Sequence, residues 1–431
     1  MAEERVKRHL AAIFASAGSL ILGISLIQLA NGYIGTLIGI RLAVAHVDPI
    51  VTGIVTSAYF AGYAIGATIC HRLIGRAGHI RAFAAFAAIV AAAFLGHALY
   101  FSPILWMGLR ALVGFGCAGL FIATESWLNA KATAATRGTV FGIYMVATYA
   151  TFAGGQFTLN LASPTEFTLF ALAAILFCLA LALVATTRAE QPPPVASSHL
   201  RVGELTAAAP VAAIGCFAGG LISGSFYALV PVYAQSIGLS MLEISSYMAI
   251  AIAGGMVMQI PIGKLSDSFD RRVVVGLVAF AFAALALAID PAWNTPWFPA
   301  VWLLVGGFMS VIYPVCVAHA NDRMPAERAV SVSGRLILLS GIGSAVGPLL
   351  GATTMSEFGI RGLFYLMAAA AALFAVFALA RGQSVPAPLF KRRRPFLLLP
   401  AIFAHDLAHA SHDSPTVITR PTSTGSRSDY A

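Results

Sequence analysis

Arg110 and Glu125 lie inside one long apolar stretch, 104–127. Charge in a segment long enough to cross a membrane is costly, and it usually faces a cavity or a partner. Arg110 can attract an anion, pair with an acid during proton transfer, or anchor a neighbouring helix. Glu125 has little polar company, and a desolvated carboxyl favours its protonated form, which a reversible proton carrier requires. The alternative for Glu125 is an interhelical bond to Arg137, Lys131 or a basic residue elsewhere in the chain. Fifteen residues of helix separate the two charges by about 22 Å, so they are not a direct pair. Arg335 enters a second apolar stretch, 331–354, where it either snorkels or forms a gating salt bridge with Asp267 or Asp322. Aromatic and amide groups recur between these charges: Asn31 beside Gln28, Tyr59 and Tyr63 on one helix face, Gln156, Tyr227 and Tyr313. Together they imply an amphipathic cavity, with too few amides and acids for pure sugar transport.

Such residues need long apolar helices to hold them. Of 431 residues, 59% are apolar and 10% charged, against about 25% charged in a soluble domain. A soluble surface cannot be built from so little charge, whereas lipid-facing helices need none. A span takes about twenty apolar residues, and the candidate spans are 11–36, 50–71, 80–99, 104–127, 138–161 and 166–187, then 207–234, 243–263, 272–290, 297–319, 331–354 and 360–380. With the N-terminus inside, twelve Lys and Arg, from Arg72 to Arg328, fall in cytoplasmic loops, against Arg41 and Arg361 outside. This asymmetry places both termini in the cytoplasm.

The expected organisation is a cytoplasmic tail (1–10), a six-helix bundle (11–187), a Pro- and Ser-rich cytoplasmic linker (188–206), a second six-helix bundle (207–380) and a basic, mostly disordered cytoplasmic tail (381–431). Bundles of this kind often carry internal repeats. An offset of 192 residues aligns Gly142 with Gly334 and Gly155 with Gly347, a modest sign of duplication. The formal charge of +9 is spread through loops and follows topology, which argues against nucleic-acid binding. The five cysteines all lie in apolar segments as small packing residues, without a CxxC pair. His405, His409 and His412 lack the acids or thiols that would complete a metal site. Neither a phosphate loop nor a Ser/His/Asp arrangement is present, so no cofactor, metal, ATP drive or enzyme activity is expected.

The loop Gly263–Arg272 follows Pro261 and resembles the GxLaDrxGrr loop of the major facilitator superfamily. Gly263, Asp267, Arg271 and Arg272 match, and Asp270 stands where that pattern has a second glycine. Gly263 permits a tight turn or close approach, and Asp267 can accept hydrogen bonds from a helix start. The first-half counterpart, His71–Arg81, keeps Arg76 and Gly78 but has Gly75 where the acid belongs. Arg110, Gly114, Gly116 and Ala118 are similar to the RxxQGxGxA pattern of the fourth helix, with Val113 in place of glutamine. Gly343, Gly347, Pro348 and Gly351 are similar to an antiporter motif, but in the eleventh span rather than the fifth. Segments 125–129 and 313–322 resemble a bacterial inner-membrane subgroup of the superfamily.

The resemblance implies an all-α polytopic membrane protein of twelve transmembrane helices in two six-helix bundles. It also implies a carrier that rocks around a central cavity lined by the first, fourth, seventh and tenth helices, which favours Asn31, Arg110, Tyr227 and Tyr313 as substrate contacts. Coupling or gating falls to Glu125, Asp267, Arg271, Arg272, Arg335 and Arg76. The expected activity is secondary transport of a small organic solute by a monomer in the bacterial inner membrane, coupled to protons, with efflux ahead of uptake. The alternative is a membrane sensor or scaffold that retains the fold without transporting.

Overall fold

The structure, a computed structural model, describes residues 2–131, 137–186, 201–292, 295–325 and 328–384. The tail beyond 384, its three histidines and most of the linker therefore lie outside the described residues. The first half consists of α1 (Ala2–Val44), α2 (Pro49–Ala77), α3 (His79–Leu99), α4 (Pro103–Lys131), α5 (Arg137–Gly155) and α6 (Thr168–Ala185). A short α7 (Val202–Ala208) precedes α8 (Pro210–Ser236), α9 (Met241–Ser268), α10 (Arg271–Ala292), α11 (Phe298–Arg323), α12 (Ala329–Phe358) and α13 (Gly362–Ser384). Among the described residues, eleven helices are long and apolar enough to cross a membrane. Leu373 and Val376 are 73% and 67% exposed, so the outer surface is itself apolar, as a lipid-facing surface must be.

Two local features depart from the expected spans. The fifth segment is α-helical only to Gly155 and continues as a 3₁₀ helix, Gln156–Leu161. At that transition the buried Gln156 side chain donates to the Gly32 carbonyl and accepts from Thr36 Oγ1 at 3.0 Å. A short helix also crosses the end of the linker: α7 begins at Val202 and runs to Ala208, into the expected span 207–234, with Glu204 in its first turn and Leu205 buried, and stops before Pro210. Pro231, Pro261, Pro314 and Pro348 each lie within a helix that continues past them.

Helix pairing repeats between the halves. In the first, α1 packs on α5 and α6, α2 on α4, and α3 on α4 and α6; in the second, α8 packs on α12 and α13, α9 on α11, and α10 on α11 and α13. Glycines at the 192-residue offset carry the equivalence to atomic detail. Gly62 rests on the Ala111 carbonyl and Gly114 on that of Tyr59; Gly254 rests on the Leu303 carbonyl and Gly306 on that of Ala251. Gly155 meets the Leu29 carbonyl as Gly347 meets that of Leu221. A Cβ at any of these positions would collide with backbone, so the glycines set how closely each pair of helices approaches. Each half has its own apolar core. The halves meet through α2 against α12 and α5 against α9, pairs that exchange under the same repeat, and through α1 against α8, its own counterpart.

Candidate functional site

Two cavities lie where the halves meet. The larger, about 660 Å³, is bordered by α1, α2, α4, α5 and α8 and lined by Asn31, Thr36, Thr56, Tyr59, Phe60, Arg110, Phe152, Gln156 and Tyr227 among others. The smaller, about 570 Å³, is lined by Tyr59, Phe60, Tyr63, Ser223, Tyr227, Tyr313, Ser340 and Ser344, with Ile337 and Gly341. Tyr59, Phe60 and Tyr227 belong to both and form the partition. Asn31 and Arg110 lie on the first cavity, Tyr313 on the second and Tyr227 on both.

Packing between α2 and α4 sets the position of Arg110. Because Gly114 lies against the Tyr59 carbonyl, the Tyr59 ring reaches the guanidinium, whose central carbon stands 4.5 Å from the ring centroid. Arg110 is 5% exposed, and its Nε lacks a hydrogen-bond partner. Among the described residues, no carboxylate forms an ion pair with it. Asn31 Nδ2 donates to Gln28 Oε1 at 3.2 Å, and its Oδ1 accepts from Cys117 Sγ at 3.7 Å. Tyr227 stacks edge-on against Phe152 of the opposite half, with centroids 6.0 Å apart, and its hydroxyl and that of Tyr313 are buried without a partner. Tyr59, Phe60, Thr36, Thr56, Phe152 and Gln156 complete the site. Of these, Tyr59 and Gln156 were legible in the sequence.

Glu125 lies elsewhere. It is buried, and Tyr144 of α5 donates its hydroxyl to Oε1 at 2.9 Å. The side chains of Lys131 and Arg137, two expected partners, are outside the described residues.

Charge is concentrated again at the α9–α10 junction. Arg271 is 2% exposed and lies 3.0 Å from Asp267 and 2.9 Å from the buried Asp322 at the end of α11. Arg272 engages Asp270 through both carboxylate oxygens, at 3.1 and 2.7 Å, and donates to the Arg381 carbonyl of α13 at 2.8 Å. The expected roles of Asp267 and Gly263 change here. Gly263 lies inside α9, which runs on to Ser268, and the turn falls at Phe269 and Asp270. Asp270, not Asp267, caps the following helix by accepting from the Arg272 amide at 2.9 Å. Burial works against the charge on Asp270, but the Arg272 hydrogen bonds outweigh it and hold the carboxyl below its ordinary range. Asp267 and Asp322 thus both meet Arg271, while Arg335 is half-buried near the start of α12. In the first half Arg76 is exposed, Gly78 takes a positive φ of 84°, and His79 meets Ser126 Oγ at 3.1 Å.

The chain matches the Major Facilitator Superfamily over residues 20–298 and 212–417. It belongs to that superfamily. It is 30% identical over 383 residues to an uncharacterized MFS-type transporter of Enterobacter sp. (strain 638), covering 86% of this chain and 97% of that one. It is 29% identical over 378 residues to the uncharacterized MFS-type transporter YcaD of Escherichia fergusonii, with the same coverage. Among solved structures, a bacterial homolog of the human lysosomal transporter Spinster superposes with a TM-score of 0.70 at 16% identity, over 87% of this chain and 97% of that one. The nucleoside transporter NupG gives 0.69 at 13% identity, over 85% and 98%. The D-xylose–proton symporter gives 0.65 at 16% identity, over 87% and 99%. The chain is therefore a multi-pass inner-membrane transporter that moves a small solute by alternating access. Its relatives are transport proteins, not enzymes.

Proposed function

We propose that this chain is a proton-coupled secondary transporter of a small organic solute, working in the direction of efflux. Twelve spans form two six-helix bundles, 11–187 and 207–380, joined by the linker 188–206, with the tails 1–10 and 381–431 and both termini in the cytoplasm. The carrier acts as a monomer. Solute binds among Asn31, Arg110, Tyr227 and Tyr313. Glu125 carries the proton, with Tyr144 as its hydrogen-bond partner. Asp267, Arg271, Arg272, Arg335 and Arg76 hold the cytoplasmic ends of the helices during the exchange between inward and outward states.

The observation that carries this reading is a buried guanidinium, without a counter-ion among the described residues, on a cavity where the two halves meet. A rocking motion of the halves exposes such a cavity to each side in turn. The test is full-length protein in proteoliposomes with a trapped pH dye, an imposed proton gradient and pooled small molecules, beside an Arg110→Ala control. Solute-dependent proton flux that disappears in the control is expected, and its sign separates antiport from symport. Folded protein that moves no solute and no protons with any pool would instead be a membrane sensor or scaffold.

A further inference from the structure

We infer that the Arg110 cavity selects singly charged organic anions, an aromatic or similarly apolar carboxylate being the fitting class. The inference rests on the transport reading above and supplies its substrate chemistry. A desolvated cation is strongly unfavourable without a compensating charge, and Arg110 is 5% exposed with the Tyr59 ring face against it and no acid paired with it among the described residues. Its Nε is buried without a hydrogen-bond partner among those residues, and its side chain lines the cavity as a planar donor group. A carboxylate matches that fork in shape and charge.

The internal repeat separates this role from a structural one. The position 192 residues after Arg110 is Trp302, buried and neutral, on a helix whose Gly306 packs on Ala251 as Gly114 packs on Tyr59. Equivalent backbone packing is thus achieved without a cation, so the fold does not require one at Arg110.

The number and setting of charges narrow the class further. Arg110 is the one charged side chain among the residues lining either cavity, which matches a monoanion and leaves a second negative charge unbalanced. Phe60, Phe152 and the Tyr227 ring offer an apolar wall for the body of the molecule. The Asn31 amide and the Tyr227 hydroxyl provide neutral polar contacts.

The test uses purified full-length protein in lipid nanodiscs, with thermal unfolding as the readout of binding. The probes are phenyl, pyridine and indole scaffolds, each as carboxylate, carboxamide and amine, with phthalate as a dianion. Carboxylates are expected to stabilise the wild type, and their amides, amines and phthalate are not. In Arg110→Gln the carboxylates should bind roughly ten- to hundredfold more weakly, the loss of a charged hydrogen-bonding partner, with Arg110→Lys in between. An unliganded unfolding transition close to wild type shows that each variant is folded, and Arg110→Lys serves if Arg110→Gln is not. Selectivity for amides or amines, equal binding of carboxylates to Arg110→Gln, or no stabilisation by any carboxylate would overturn the inference. Counterflow in proteoliposomes separates the two readings. Neutral solutes carried without anion selectivity would sink the inference and leave transport standing, whereas Arg110-dependent carboxylate binding without counterflow would do the reverse.

Discussion

The two halves share one backbone design and place their buried charges at different positions on it. In the first half, charge is buried along α4, at Arg110 and Glu125; the repeat-equivalent residues of the second half are Trp302 and Val317. In the second half, charge gathers at the α9–α10 junction, in Asp267, Asp270, Arg271 and Arg272; their first-half equivalents are Gly75, Gly78, His79 and Ile80. Arg271 and Arg110 are about equally buried, at 2% and 5%, yet one touches two carboxylates and the other an aromatic face. Duplication preserved the glycine contacts that bring helices together, while charge diverged. A cation paired with acids ties elements together; one beside a cavity with no acid paired to it among the described residues is available to a ligand.

The sharpest way to break this comparison is to remove each arginine in turn. Arg271→Gln removes the cation 2.9 Å from the buried Asp322 and should destabilise the protein by about 3–5 kcal/mol. Arg110→Gln removes an uncompensated charge and should change unfolding by less than about 1 kcal/mol. Thermal unfolding in detergent compares them directly, and equal losses would abolish the distinction between a clamp and a site. Next in size are Gly114→Val and Gly306→Val, which drive a side chain into the Tyr59 and Ala251 carbonyls. Each should cost about 1–3 kcal/mol by overpacking, and only Gly114→Val should also alter ligand binding, because Tyr59 faces Arg110.

Acid stability sharpens the second-half side of the comparison. Because the Asp270 carboxyl is held below its ordinary range, the stability its charge contributes is fully present above the unfolded value. That contribution is lost as pH falls through the lowered folded value. Asp270→Asn should therefore unfold more readily at neutral pH and lose less on acidification; parallel pH profiles for variant and wild type would contradict the assignment. The smallest effect is expected at the exposed pair of Arg328 with Glu204, 3.3 Å apart and 49% and 50% exposed. Arg328→Ala should shift unfolding by at most about 1 kcal/mol, an exposed contrast to Arg271 on the same thermal assay.

Long apolar segments, loop charge and the Gly263–Arg272 pattern made the class and the helix-rich architecture legible in the sequence, because lipid imposes a length and a composition that one dimension can show. Arg110 also stood out there, since a charge in an apolar run needs no structure to be noticed. Duplication was barely visible, because glycines are frequent and their meaning lies in what they touch. Only in three dimensions do Gly62, Gly114, Gly155 and their counterparts meet equivalent carbonyls. The division of labour between acids was likewise hidden: Asp270 caps and Asp267 clamps because the helix end falls at Ser268, a boundary set by packing and hydrogen bonds rather than by residue order. Sequence determined that charges are buried; tertiary structure decided which are answered, because a counter-ion is a neighbour in space and helices distant along the chain supply it.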